Sequence, residues 1–327
     1  MASMQQVIQG LSTFWDDQGC AVLPPCAFPV PLGLLHPYVF FRLLEPDPWM
    51  AAFLQPIHRP TDGRRGSHPY RAARHLQFQV VWKEPPSTAP QEAFVAGLEA
   101  VGLDTGAHDL RWRFGHLDVA AVGVSGQGWQ VELDGLEIGR INFLHRLAGR
   151  PAEPAAVELA YGIDRLALFL GRHPDLYQVP WHGAIDQPDP APVREKRRER
   201  EQELYRYADE VAGVGYLRQV LDQTDREAER CLAAELPRAA YELAVQALPA
   251  LDHLEARGAL ASGERRQWLD GIARRVLAAA DLYRRLYDLD PDLQAPAANP
   301  GPTVDPNPAQ EADGPTGSKA EEETADA

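Results

Sequence analysis

Two short apolar runs, FLQP at 53–56 and LQFQVVW at 76–82, flank a turn loaded with cations, and this constrains the fold more than any other feature of the chain. Runs of this kind read as strands, and the glycines and prolines between them as a reversal. A hairpin is therefore expected, with strands at Met50–Leu54 and Leu76–Trp82. Its turn presents Arg59, Arg64, Arg65, Arg71 and Arg74 at one end of the sheet. A planar guanidinium holds phosphate or carboxylate oxygens through two parallel hydrogen bonds. A solvated basic loop is the plainer reading. Against it stands the setting, because the chain as a whole carries a formal net charge of -15.

That acidity, with a pI near 5.1, argues against indiscriminate nucleic-acid or anionic-membrane binding. Cys20, Cys26 and Cys231 have no CxxC spacing, so neither a disulfide scaffold nor a zinc knuckle is expected. The first fifteen residues lack a basic n-region, and no apolar run reaches the ~18 residues of a membrane span. A cytoplasmic protein with no membrane partner is expected.

Val7, Leu11, Phe14 and Trp15 recur at helical spacing before Gly19, predicting a first helix over Met4–Gln18. Tyr38–Leu44 reads as a short strand in a proline-rich stretch, and Gln91–Val101 as an amphipathic helix. A second sheet region is expected from Leu110 onward. There WQVEL, Asp134-Gly135 and Leu136–Leu144 make a two-residue hairpin. Ala156–Ala160 reads as a strand and Asp164–Leu170 as a helix. The fold class is α+β: an antiparallel sheet domain over 1–182, a linker over 183–193 and an all-α helical domain over 194–292. Helices are expected at Arg194–Arg206, Tyr216–Ala234, Arg238–Arg257 and Gly263–Asp288. Residues 293–327, rich in Pro, Ala and acid, have the composition of a disordered acidic tail.

Three stretches bear on chemistry. Beside the arginine hairpin there is GVSGQGWQVELDG (123–135), whose glycines either admit a ligand to the backbone or relieve crowding in a sheet. The third is AYGIDRLALFL (160–170), where Arg165 opens an otherwise apolar helix and needs an anionic partner, a protein carboxylate or a phosphate. The histidines form no HxxxH or HExxH pair, and there is no P-loop and no G-x-S-x-G elbow.

The order and wording of these stretches resemble the α subunit of bacterial glycyl-tRNA synthetase, a class II aminoacyl-tRNA synthetase, over roughly residues 5–290. The resemblance rests on FWDDQGC (14–20), EPDPWMAAFLQPIHRPTDGR (45–64), QFQVV (77–81), HDLRW (108–112), GQGWQVELDGLEI (126–138), YGIDRLALF (161–169) and YADE (207–210). It implies a class II fold, ATP and Mg2+, and an aminoacyl-adenylate intermediate. It also implies a homodimer joined to a separate β subunit, through which tRNA is bound.

Carried onto this sequence, Arg59 takes the α-phosphate, Arg71 the adenine or γ-phosphate, and Arg165 the terminal phosphate. Arg59 and Arg165 are thus the expected catalytic residues, with Arg64 and Gln77 completing the ATP site. Gln79, Trp129, Gln130 and Asp164 fall in the amino-acid pocket. The departures gather on the amino-acid side. Residues 28–37 read FPVPLGLLHP where the family has a run near GAGT, and His58 replaces an arginine. GRINFLH (139–145) stands for TQFTYFQ, and Gln130 stands where a glutamate is expected. A neutral amide cannot pair an ammonium, a loss of roughly 1.5–3 kcal/mol in a buried site. An adenylating enzyme with an altered pocket is the first expectation. The alternatives are a non-catalytic, regulatory relative and an enzyme that transfers to a non-tRNA acceptor.

Overall fold

The computed structural model describes residues 3–289 apart from 61, 63–66, 86–88, 185–186 and 189–190, with the backbone alone over 183–196. The acidic C-terminal stretch and Arg64 lie outside the described residues. The expected hairpin is present and longer than its apolar runs: β2 is Met50–His58 and β3 is Arg74–Lys83, paired antiparallel from Met50↔Trp82 to His58↔Arg74. They belong to a seven-stranded sheet with β1 (Ala21–Val22), β4 (Leu110–Val119), β5 (Val124–Leu133), β6 (Leu136–Leu147) and β7 (Arg150–Gly162), in the order β1-β2-β3-β7-β6-β5-β4. The expected second sheet region is therefore the far half of one sheet, joined to the hairpin by β3–β7 pairing. All pairings are antiparallel except β1 on β2, which makes the sheet mixed.

The Asp134-Gly135 turn forms between β5 and β6, with positive φ of 48° and 82° at its two residues, as a type I′ reversal requires. Ala148-Gly149 repeats the geometry between β6 and β7 at 47° and 73°. The crowding reading holds for two of the other glycines. A Cβ on Gly126 would stand 2.1 Å from Phe143 O, and one on Gly128 1.9 Å from Ile141 O.

Strand alternation divides the sheet into two faces. On one face Leu54, Phe78, Tyr161 and Gly139 fall in one row, and Ala52, Val80, Leu159, Ile141 and Trp129 in the next. Three helices cover it: α1 (Met4–Asp17), α3 (Ala89–Ala100) and α4 (Ile163–Gly171). Phe94 of α3 stacks on Tyr161 with centroids 4.2 Å apart and planes within 3°. The other face is covered in part by α2 (Pro37–Leu44) and the helices that follow the sheet: α5 (Ala191–Arg206), α6 (Val214–Ala233), α7 (Pro237–Gln246), α8 (Leu248–Ala256) and α9 (Glu264–Leu286). Phe53, Val81, Leu144 and Ala156 share one core with Phe41, Tyr241 and Val276.

Two expected elements differ. Tyr38–Leu44 is the helix α2, with Pro37 in its first turn and Val39, Phe40, Phe41, Leu43 and Leu44 buried. In so short a helix the outward side is marked only by Tyr38 and Arg42, and proline at the first helical position is the usable signal. The single helix expected over Arg238–Arg257 is two, meeting at Ala247, because Pro249 has no N–H to continue the ladder. The stretch expected as a linker contains a two-residue hairpin, Gly183–Ala184 with Gln187–Pro188, and α5 begins at Ala191.

Candidate active site

The part of the second face that the helices leave open is a cavity of about 270 Å³. The end of β2 supplies its first wall. Arg59 follows His58 directly, and its backbone N–H donates to Ala73 O at 2.7 Å, closing the base of the arginine turn. Its Nε donates to Pro31 O at 3.0 Å. Among the described residues its terminal nitrogens meet no carboxylate, although burial lowers its pKa. A half-buried cation with spare donors, near the carboxylates of Asp62, Glu137 and Glu158 but hydrogen-bonded to none of them among the described residues, is held ready for an anion. Arg71 lines the same cavity but is paired, its Nη1 donating to Asp62 Oδ1 at 2.9 Å.

Across the cavity, Arg165 of α4 donates from Nη1 to Glu137 O at 2.8 Å and from Nε to Tyr70 O at 3.2 Å. The Glu137 carboxylate lies 3.5 Å from Arg165 Nη1 and accepts from Arg140 Nε at 2.7 Å. One carboxylate thus serves two guanidinium groups.

Two rows cross the sheet on this face: Gln130, Arg140, Ala160 and Gln79, then Gly128, Asn142, Glu158 and Val81. Glu158, wholly buried, accepts from Asn142 Nδ2 at 2.8 Å through Oε2, while Oε1 has no hydrogen-bond partner among the described residues. Burial pushes its pKa up to about 7, against the opposing pull of Asn142 and the nearby charges of Arg140 and Arg59. A buried acceptor without a donor is costly unless a ligand completes it.

Gln77 lines the cavity, as expected for a strand whose two glutamines share a side. Gln79 lies beneath it, fully buried. Its Nε2 donates to Gln77 Oε1 at 2.8 Å, and its Oε1 has no partner among the described residues. It packs on Gly33, where a Cβ would come within 2.5 Å of Gln79 Cδ. Gln130 shares the face but not the cavity lining, its Nε2 donating to Glu132 Oε1 at 3.2 Å. Trp129 does not reach the cavity at all. Being one residue from Gln130, it points to the opposite face, where it lines a groove with Trp112, Val95 and Ala96. Asp164 is on the cavity wall yet acts as a tie. Its Oδ2 accepts from Leu76 N at 2.7 Å and its Oδ1 from Arg197 of α5. Arg59, Arg71, Gln77, Asp164 and Arg165 are thus brought together, and Trp129 is kept apart.

Glu158, Asn142, Arg140 and Glu137 were not anticipated from the sequence. A glutamate inside the apolar run AAVELAY was the signal for the first, because a charge in a central strand is buried only with a reason.

Among the described residues, no group of three His, Cys, Asp or Glu side chains is placed to hold a metal ion. The phosphate-side carboxylates Asp62 and Glu137 are already paired with arginines. Among the described residues the donor set thus forms no all-protein cage for Mg2+, an ion ordinarily held by one or two carboxylates together with substrate phosphates. Nor, among those residues, is any helix long and apolar enough to cross a membrane.

Comparison with known proteins places these features in a family. Among solved structures, the chain is similar to a Desulfitobacterium hafniense pyrrolysyl-tRNA synthetase described as PylSc. The identity is 11%, over 55% of this chain and 73% of that one, with a TM-score of 0.39. A second structure of pyrrolysyl-tRNA synthetase from the same organism gives 12% identity, the same coverage and the same TM-score. Independently, residues 4–287 match the family model of the glycyl-tRNA synthetase alpha subunit. Matched over most of its length, the chain belongs to the glycyl-tRNA synthetase alpha-subunit family.

Proposed function

We propose that this protein activates glycine with ATP, forming glycyl-adenylate and pyrophosphate, and passes the glycyl group to tRNA(Gly) together with a separate β subunit. The observation that carries the reading is Arg59, a half-buried guanidinium on the cavity wall with one donor fixed to Pro31 O and no carboxylate hydrogen-bonded to it among the described residues. In the reaction a carboxylate oxygen bonds to the α-phosphorus as the bond to the bridging oxygen breaks, and pyrophosphate leaves. Charge grows on the non-bridging oxygens, where a pre-placed donor in a site shielded from water is worth most. Arg71 and Arg165 take the outer phosphates by exchanging Asp62 and Glu137 for phosphate oxygens.

Glu158 supplies the charge for the ammonium. One row from Gln130 on β7, its Oε1 is buried beneath the cavity without a hydrogen-bond partner among the described residues, and with a pKa of about 7 it takes up its charge as the ammonium binds. Mg2+ neutralises the triphosphate when it arrives with the nucleotide, and no step here depends on a protein cage for it. A homodimer, tRNA contact through the β subunit and a cytoplasmic location belong to the same reading.

Glycine-dependent ATP–pyrophosphate exchange tests it. Arg59→Ala is expected to lower the rate by roughly 10²–10³, as for loss of one donor to a developing oxyanion. Absence of exchange with every amino acid, alone and with the β subunit, removes the proposal. A second reading, adenylate formation with a non-tRNA acceptor, is motivated by the sequence departures at 28–37, Gln130 and 139–145. Charging of tRNA(Gly) by the purified α and β subunits would eliminate that reading.

A further inference from the structure

Arg140 stands where the family resemblance places a glutamine, and its surroundings give it a task the family does not assign. It is on β6, paired in register with Gln130 on one side and Ala160 on the other, on the face that forms the cavity. Asn142, two residues on and on the same face, pairs with Glu158, so Arg140 and Glu158 are diagonal neighbours across β6 and β7. Diagonal positions of an antiparallel pair are roughly 7–8 Å apart at Cα, within reach of long side chains. Arg140 Nε is fixed by Glu137 at 2.7 Å, and among the described residues its terminal nitrogens have no hydrogen-bond partner. Glu137 is also shared with Arg165, and Glu158 is the other carboxylate close enough to feel the charge of Arg140. Arg59 feels the charges of Arg140, Glu137 and Glu158 alike, which places all four groups around one volume.

We propose that Arg140 is a substrate-binding residue that holds the carboxylate of the amino acid, diagonally opposite the Glu158 carboxylate that holds its ammonium. The inference rests on the adenylating reading of the cavity and adds to it the group that orients the nucleophile. An α-amino acid carries its two charges on adjacent carbons, and an anionic and a cationic side chain one strand apart match that span. Arg140 holds one carboxylate oxygen while the other attacks the α-phosphorus beside Arg59. The new bond is oxygen to phosphorus, the bond broken is phosphorus to bridging oxygen, and the electron pair departs with pyrophosphate. No proton moves in the step.

The probe is glycine against methylamine, which keeps the ammonium and lacks the carboxylate. Calorimetric titration of the full chain should show glycine favoured over methylamine by roughly 10- to 100-fold, the range of a charge-assisted hydrogen bond pair. The preference should collapse in Arg140→Gln and partly return in Arg140→Lys. In exchange kinetics the same variant should raise KM for glycine by a similar factor. An unchanged glycine-to-methylamine ratio in Arg140→Gln overturns the assignment. A wild-type protein that binds ATP but discriminates neither amine overturns it too. One that fails to bind ATP instead brings down the adenylating reading beneath it.

Discussion

Changing Glu158 to Gln alters the pH dependence of stability by an amount that follows from the structure. Burial raises the carboxyl from an ordinary 4.5 to about 7 in the folded protein. Between those values the folded chain binds more protons than the unfolded chain, so stability falls as pH rises. The contribution is fully present below the unfolded value and gone once pH passes the folded one. At about 1.4 kcal/mol per pH unit, the shift amounts to about 3 kcal/mol lost across that window. In Glu158→Gln the amide oxygen still accepts from Asn142 Nδ2, and nothing at the position titrates. A buried amide nitrogen takes the place of Oε1 and costs about 1–3 kcal/mol if unpaired, but this offset does not vary with pH. Urea denaturation at a series of pH values from 5 to 8 reads the difference. The expected result is a wild-type minus variant stability that declines by about 3 kcal/mol and then levels off. Parallel curves would refute the reasoning, since they mean the carboxyl is charged throughout and reached by water.

Asp164→Ala should destabilise the protein by about 3 kcal/mol, because it frees Leu76 N and strips Arg197 of a buried partner; the denaturation midpoint measures this. Trp129→Ala should leave ATP and glycine affinity unchanged, since the indole is on the face opposite the cavity. Its cost should appear in stability alone, at about 2 kcal/mol for a half-buried ring, read by thermal melting.

The hairpin and the DG turn were legible because their signals are local: strand period, turn residues and a charge cluster all lie within a short stretch. The phosphate-side residues Arg59, Arg71, Gln77 and Arg165 could be named together only through the resemblance, since β2, β3 and α4 meet through pairings that no local pattern encodes. Placing Trp129 beside Gln130 in one pocket failed on strand alternation, which sends sequence neighbours to opposite faces. Glu158 and Arg140 escaped notice for the converse reason. They lie on different strands, and only the β6–β7 register makes them neighbours. The helix at Pro37–Leu44 is hard to read from sequence because eight residues show its outward stripe only twice, at Tyr38 and Arg42.

Helix α5 reaches the site at two points. Arg197 grips Asp164 at the head of α4, and one turn later Glu201 accepts the backbone N–H of Ala73 at the foot of the arginine turn. A single rod thereby sets the spacing between the two segments that would bracket a triphosphate, the way a brace sets the gap between two jaws. A fragment ending before α5 keeps every cavity-lining residue and loses the brace, leaving one carboxylate and one amide uncompensated on opposite sides of the opening. Phosphate gripping is thus a property of sheet and helices jointly, and any partner that leans on α5 has a mechanical route to the nucleotide.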